Sequence, residues 1–429
     1  MLLEINNIGK IKSAKVKLDG ITVVTGINDT GKSTIGKVLY SFFNGFNRVK
    51  KRIEEERTKR ISGIVERTLE EKFFSDESFY IYEETDGILE AIMNLYKGRD
   101  IDDILPKDIA DIFEEREEEI KERYSIEEVL HVDESLWNEY LDTFKITDDE
   151  LLKAMLTNAF QGEFSDQINN MYSDEEGVIS LTIRNREVKV SLLSNQVTSM
   201  NSFHDVSRRA VYIDDTMVID GPWPIGYRGI KSNHKDHLRK WLLYGHSKES
   251  YIDEIIIGGK LEEVYQMLNE VCQGEIHASS RGEFVYRLPR SNKSLRIRNL
   301  SVGLKTFVIL KTLLKKGIIE EGGVLILDEP EIHLHPKWQL LLAELIVMLQ
   351  KKFELHILLN THSPYFLDAI DVYSKKHGIS ERCNFYLMEE QEDGMSILED
   401  ITDDLEPTFY KMADPMRELE RERSRYEED

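Results

Sequence analysis

The 429-residue sequence predicts an α/β fold: a mixed sheet with flanking helices, interrupted after its first helix by a helical insertion. Three observations predict it. Ile21-Thr22-Val23-Val24-Thr25 is an apolar strand that runs into a glycine-containing loop and then an amphipathic helix. From residue 299, helices alternate with the apolar runs Val324 to Leu327 and Leu355 to Leu359, the pattern of buried parallel strands. Between these segments, residues 46–175 turn charged, poor in glycine and helical in period.

Met1 to Ile5 and Ala14 to Leu18 read as strands ahead of that first apolar strand, with Asp19-Gly20 as a turn. The helix after the loop places Ile35, Val38, Leu39, Phe42 and Phe43 on one face, and Asn44-Gly45 is its expected cap. Arg48 to Glu71 and Asp108 to Tyr124 are charged helical arms. Strands return at Val178 to Ile183 and Val188 to Leu192, a hairpin around Asn185-Arg186, and again at Ala210 to Ile213. Residues 220–232 read as a loop, and a second hairpin covers roughly 274–298. Leu304 to Lys316 is a helix closed by Gly317, and Pro336 opens another that runs through Phe353. Residues 384–388 are expected to be the last strand of the sheet, and Arg417 to Asp429 a surface helix. The domain expectation is one domain from 1–45 with 176–429, and an acidic insertion from 46–175.

The net charge of −24 argues against a surface coated with nucleic acid. The charge is uneven, however. Residues 101–150 hold 19 Asp/Glu against 5 Lys/Arg and read as a solvated helical face. Residues 290–316 hold eight Lys/Arg (Arg290, Lys293, Arg296, Arg298, Lys305, Lys311, Lys315, Lys316) and no acid, a basic face that leaves DNA open. No apolar run is long enough to cross a bilayer and no secretory signal opens the chain, so no membrane role is expected. Two cysteines, Cys272 and Cys383, make no disulfide framework, and a cytoplasmic location is expected.

Four ordered segments carry the chemistry. Gly26 to Ser33 fits G-x-x-x-x-G-K-[ST], a loop whose amides and following helix start attract phosphate. Its candidate nucleotide-binding residues are Gly26, Asn28, Gly31, Lys32, Ser33 and Thr34, with Lys32 on the phosphates and the Ser33 hydroxyl on Mg²⁺. Val324 to Leu327 delivers Asp328 and Glu329 to a strand's carboxyl end, Asp328 as the second Mg²⁺ residue and Glu329 to polarise the attacking water. Asn360-Thr361-His362-Ser363 ends the next strand, and His362 is placed to contact the γ-phosphate. In Leu300-Ser301-Val302-Gly303-Leu304-Lys305, Ser301 caps a helix whose free N–H groups suit an anion. Two helix ends competing for one nucleotide point to a head-to-tail pair, in which Ser301, Gly303 and Lys305 serve the neighbouring subunit's nucleotide.

Together these segments resemble the soluble ABC-type ATPases: RecF, the structural-maintenance-of-chromosomes heads and the overcoming-lysogenisation-defect nucleases. Glu329-Pro330-Glu331-Ile332-His333-Leu334-His335-Pro336 and the Ser-x-Gly-x-Lys form are similar to the last group. The resemblance covers 1–45 and 299–370 strongly and 176–298 weakly. It implies an ABC-type head, a P-loop NTPase that hydrolyses ATP with Mg²⁺ at composite sites of a homodimer or higher oligomer. It also makes the His333/His335 segment an interface loop rather than a metal site. The chain departs from the pattern in lacking the second signature glycine and a clear Mg²⁺-contacting glutamine, for which Gln196 and Asp214-Asp215 are weak candidates. Only 39 residues follow Glu390, too few for the Toprim nuclease domain of that group. The resemblance therefore implies an ATPase subunit that regulates a separately encoded nuclease or toxin, in anti-phage defence. The alternative is a RecF-like DNA-repair ATPase that uses the 290–316 stretch.

Overall fold

The computed structural model describes residues 1–72, 78–99, 103–124, 134–202, 205–221, 232–245, 251–279, 283–289, 291, 293–412 and 414–427. Most of the 220–232 loop and Arg290 lie outside the described residues. The chain divides into two compact units, residues 1–47 with 155–429, and residues 48–154.

The first unit is built on one mixed sheet of eleven strands. Its strands are β1 (Leu2–Ile8), β2 (Ile11–Lys17), β3 (Ile21–Thr25), β4 (Gly177–Ile183), β5 (Arg186–Leu193), β6 (Gln196–Met200) and β7 (Ala210–Ile213). A separate three-stranded sheet follows, β8 (Glu275–Ala278), β9 (Phe284–Arg287) and β10 (Ser294–Arg296). The large sheet is completed by β11 (Val324–Asp328), β12 (His356–Thr361), β13 (Cys383–Glu390) and β14 (Ser396–Asp400). The order is β6-β5-β4-β1-β2-β14-β13-β3-β12-β11-β7. Strands β13, β3, β12, β11 and β7 run parallel, so the loops at their carboxyl ends gather along one edge. Both β3 and β11 are buried at every residue, as expected of β-branched and apolar strands in the middle of a parallel sheet.

Helix α1 (Lys32–Phe46) leaves the loop after β3 and packs across β7, β11 and β12. It does not end at Asn44-Gly45. Gly45 lies within the helix, where an added Cβ would sit 2.3 Å from the side chain of Leu156, so its role is close packing. The β4–β5 hairpin forms as expected, but its left-handed turn residues are Arg184 and Asn185, one position earlier than Asn185-Arg186. The segment at 384–388 lies in β13 beside β3, and β14 turns back along it.

The second unit contains α2 (Val49–Lys72), α3 (Ser78–Gly98), α4 (Pro106–Tyr124), α5 (Glu134–Lys145) and the start of α6 (Asp148–Phe164). Its core joins Ile61, Ile64, Val65 and Leu69 to Ile88, Ile92, Ile109, Phe113 and Tyr140. Among the described residues, Asp111, Glu114, Glu115 and Asp142 are exposed around this apolar centre. The division falls inside α6, after Ala154, rather than at 175. The reason is packing: Leu156 and Ala159, on the later turns of α6, face Gly45. Among the described residues, no helix is long and apolar enough to cross a membrane.

The remaining helices of the first unit are α7 (His234–Tyr244), α8 (Tyr251–Val271), α9 (Val302–Lys315), α10 (Pro336–Phe353), α11 (Pro364–His377), α12 (Glu406–Met412) and α13 (Asp414–Glu427).

Candidate nucleotide site

The loop between β3 and α1 is shaped by residues that tolerate unusual backbone. Gly26 has φ 148°, and a Cβ there would lie 2.7 Å from the Met388 carbonyl of β13, so only glycine fits. Asn28 and Ser33 are exposed, whereas Lys32 is buried. The half-buried Thr34 sits beside Gly9 in the β1–β2 turn. The Lys32 ammonium donates to the carbonyls of Gly26 (2.9 Å) and Ile27 (2.8 Å) and lies 3.7 Å from Glu329 Oε1. Burial pulls its pKa down, and the Glu329 and Asp328 carboxylates oppose that shift.

Asp328 ends β11, and both of its oxygens are engaged. Oδ2 accepts from the Tyr212 hydroxyl of β7 at 2.9 Å, and Oδ1 from the Asn360 side-chain amide of β12 at 3.0 Å. Glu329 follows in a left-handed conformation, φ 50°, and accepts the His362 backbone N–H at 3.2 Å and a short hydrogen bond from His362 Nδ1. Next to it, Glu331 is buried and bonded to the Thr361 hydroxyl. Burial raises the Glu331 carboxyl to about 7. One ligand-type atom from each of Glu329, Glu331 and His362 lies within 4.8 Å of the others.

The structure thus brings Lys32, Asp328, Glu329 and His362 to one edge of the parallel strands. Tyr212, Asn360, Thr361 and Glu331 join them without having been singled out from the sequence. Asn360, Thr361 and Glu331 stood inside quoted motifs and could have been suspected as polar residues in apolar surroundings. Nothing local marks Tyr212, which lies 116 positions from the carboxylate it touches.

Ser301 caps α9 as expected, accepting the Leu304 N–H at 3.4 Å. Gly303 is buried against the segment after β11, where a Cβ would meet Leu334 at 2.7 Å and the His333 carbonyl at 3.1 Å. Lys305 does not reach outward. It is 1% exposed, and its ammonium donates to Asp220 at 2.7 Å, because a buried cation requires a carboxylate. Of the expected basic stretch 290–316, Lys311 and Lys316 are also turned inward, whereas Lys293, Arg296, Arg298 and Lys315 are exposed. Lys311 donates to Asn269 (2.8 Å) and the Cys272 carbonyl (2.9 Å), and Lys316 to the carbonyls of Leu242 and Leu243 at the end of α7. Lys315 pairs with Glu275. His335 caps α10 and accepts the Lys337 N–H at 3.3 Å.

Gln196 opens β6, the outermost strand at the far end of the sheet from β7, so the sheet order removes it from the site. Asp214 and Asp215 instead follow β7, on the site's edge. Asp214 lies 2.9 Å from His234 Nε2 and 3.1 Å from Lys235, and Asp215 caps the turn at 216–219. His234 is buried, with Nδ1 2.6 Å from Glu163, and its ring stacks on Tyr212 at 4.2 Å. Burial works against its charged form, but the two carboxylates outweigh that and raise its pKa to about 9. A cavity of about 930 Å³ lined by Phe42, Phe46, Arg184 and His356 holds none of the predicted residues, and His356 places it toward the amino end of β12.

Comparison with known proteins adds the following. A segment of 93 residues, 19% of this chain, is 33% identical to the Retron Ec83 probable ATPase of Escherichia coli; it spans 17% of that protein's length. Among solved structures, the chain overlaps an SMC head bound to the C-terminal winged-helix domain of ScpA with a TM-score of 0.41 and 13% identity, covering 94% of this chain and 97% of that one. An SMC head domain from Thermotoga maritima overlaps with a TM-score of 0.34 and 11% identity, covering 93% and 97%. Overlaps this loose establish no functional correspondence. The family model described as AAA ATPase domain matches residues 1–367, a span that takes in the phosphate loop, the end of β11 and the His362 turn. The chain belongs to that family of ATPases.

Proposed function

We propose that this edge of the sheet binds ATP with Mg²⁺ and hydrolyses it, and that the ATP cycle controls a separately encoded effector such as a nuclease or toxin in anti-phage defence. The observation that carries the hydrolytic reading is the convergence of Lys32 and Glu329, 3.7 Å apart, beside Asp328 and His362. The phosphates take the place of the Gly26 and Ile27 carbonyls as acceptors for Lys32, and the loop amides from Gly26 to Thr34 cradle them. Ser33 and Asp328 offer a hydroxyl and a carboxylate, the hard oxygen donors that Mg²⁺ takes, and these two residues hold the ion. Bound there, Mg²⁺ neutralises charge on the phosphate oxygens. Glu329 orients and polarises the attacking water, and His362, hydrogen-bonded to Glu329, contacts the γ-phosphate. Asn28, exposed on the loop, is a further nucleotide contact.

Two copies sandwich two nucleotides, with Ser301 and Gly303 of each serving the other's γ-phosphate. The exposed Ser301 cap supports this reading, and the buried Lys305 has no part in it. The similarity to a retron ATPase supports the defence setting. Light scattering tests the pair: Glu329→Gln with ATP and Mg²⁺ is expected to shift the 50.0 kDa chain to twice that mass. A mass that stays at the monomer value while ATP is bound contradicts the composite site. Pull-downs with proteins encoded beside this one test the effector, and capture of none overturns that part.

A further inference from the structure

We propose that Tyr212 is a positioning residue that fixes the orientation of the Asp328 carboxylate for the divalent cation, and that a buried column behind Tyr212 fixes Tyr212 in turn. The inference rests on the nucleotide reading given above. Four observations carry it, all within the unit that contains the site.

The Tyr212 hydroxyl donates to Asp328 Oδ2 at 2.9 Å, and Tyr212 itself is 1% exposed. A buried carboxylate with one free torsion keeps its orientation only if neighbours hold it. Here Asn360 binds one oxygen and Tyr212 the other, so both oxygens are held while each keeps a lone pair. The ring of Tyr212 stacks on His234 at 4.2 Å with an interplanar angle of 27°. His234 cannot turn, because Glu163 accepts from both its backbone N–H (2.5 Å) and Nδ1 (2.6 Å), while Asp214 stands 2.9 Å from Nε2. Opposite the hydroxyl, Gly36 of α1 leaves the space it occupies: a Cβ there would lie 3.3 Å from the Tyr212 oxygen and 3.1 Å from Ile326. A glycine in mid-helix costs stability relative to alanine. Close approach of Tyr212 and Ile326 accounts for it.

A phenylalanine in β7 would pack and stack equally well, so packing alone gives no reason for the hydroxyl. The bond to Asp328 does. In metal sites, partners that orient a ligand typically contribute about 10–100-fold to metal affinity.

The test uses Tyr212→Phe in the full-length chain, which keeps the ring and its stack and removes only the donor. Mn²⁺ binding in the presence of a non-hydrolysable ATP analogue is followed by the loss of free Mn²⁺ signal in electron paramagnetic resonance, so no turnover is read. The expected result is Mn²⁺ affinity about tenfold weaker than wild type, with unchanged affinity for a fluorescent ATP analogue in EDTA and a cooperative melt lowered by no more than the loss of one buried hydrogen bond. Gly36→Ala, which crowds the same hydroxyl, is expected to weaken Mn²⁺ in the same direction. Equal Mn²⁺ affinity in a folded Tyr212→Phe chain overturns the proposal, as does a parallel loss of metal-free nucleotide binding, which marks a merely structural role. Failure of the wild type to bind Mn²⁺ with the analogue contradicts the nucleotide reading itself, a result distinguishable from either of these.

Discussion

His234 shows how a single residue is decided by its neighbours. Nothing in the sequence singles out His234; in the structure it follows Asn233, which caps α7. Folded, the imidazole lies between Glu163 of α6 and Asp214 after β7, against the ring of Tyr212 and near Tyr40, with Lys235 beside Asp214. Its pKa rises from 6.5 to about 9, so the folded state holds a proton that the unfolded chain releases. The stabilisation is complete below pH 6.5 and is lost as the pH rises toward 9, on the order of 3 kcal/mol in all at 1.4 per unit. Urea unfolding at pH 6 and at pH 9 is expected to show that loss in the wild type and little of it in His234→Gln. Equal slopes against pH in the two proteins would contradict the assignment. Glu331, raised to about 7 by burial, adds to the trend in the same direction, and His234→Gln isolates the histidine share.

Among the elements, β3, β11 and β12 were legible because apolar or β-branched runs ending in Gly, Asp-Glu and Asn-Thr-His have few other readings. Their order in the sheet was not, since pairing joins residues hundreds of positions apart, as β13 joins β3. Helix α9 misled for a physical reason. A lysine that buries its ammonium against carbonyls or a carboxylate looks in the sequence like one that keeps it in water. Lys305, Lys311 and Lys316 are of the first kind. Lys311→Met is therefore expected to destabilise the fold by about 2–4 kcal/mol, because Asn269 and the carbonyl of Cys272 lose their donor in a buried place. Chemical denaturation checks it, and a loss within 0.5 kcal/mol, the usual range for a surface change, contradicts it.

For the whole molecule, the sheet places the phosphate loop, the Asp328-Glu329 pair and His362 on one edge, with the 48–154 unit inserted after the helix that leaves the loop. The reaction was legible in the sequence because three of the four motifs end strands and parallel strands end together. The Tyr212–His234 support was not, since it depends on contacts among four elements. Its absence from the motifs does not make it peripheral: it holds the Asp328 carboxylate that we propose binds the metal. The central claim is that this edge hydrolyses ATP through Glu329. Single-turnover hydrolysis of Mg²⁺-ATP by Glu329→Gln, measured alongside bound nucleotide, tests it most directly. The account predicts hydrolysis slower by about 10²–10⁴-fold with ATP still bound, and hydrolysis at the wild-type rate would contradict it.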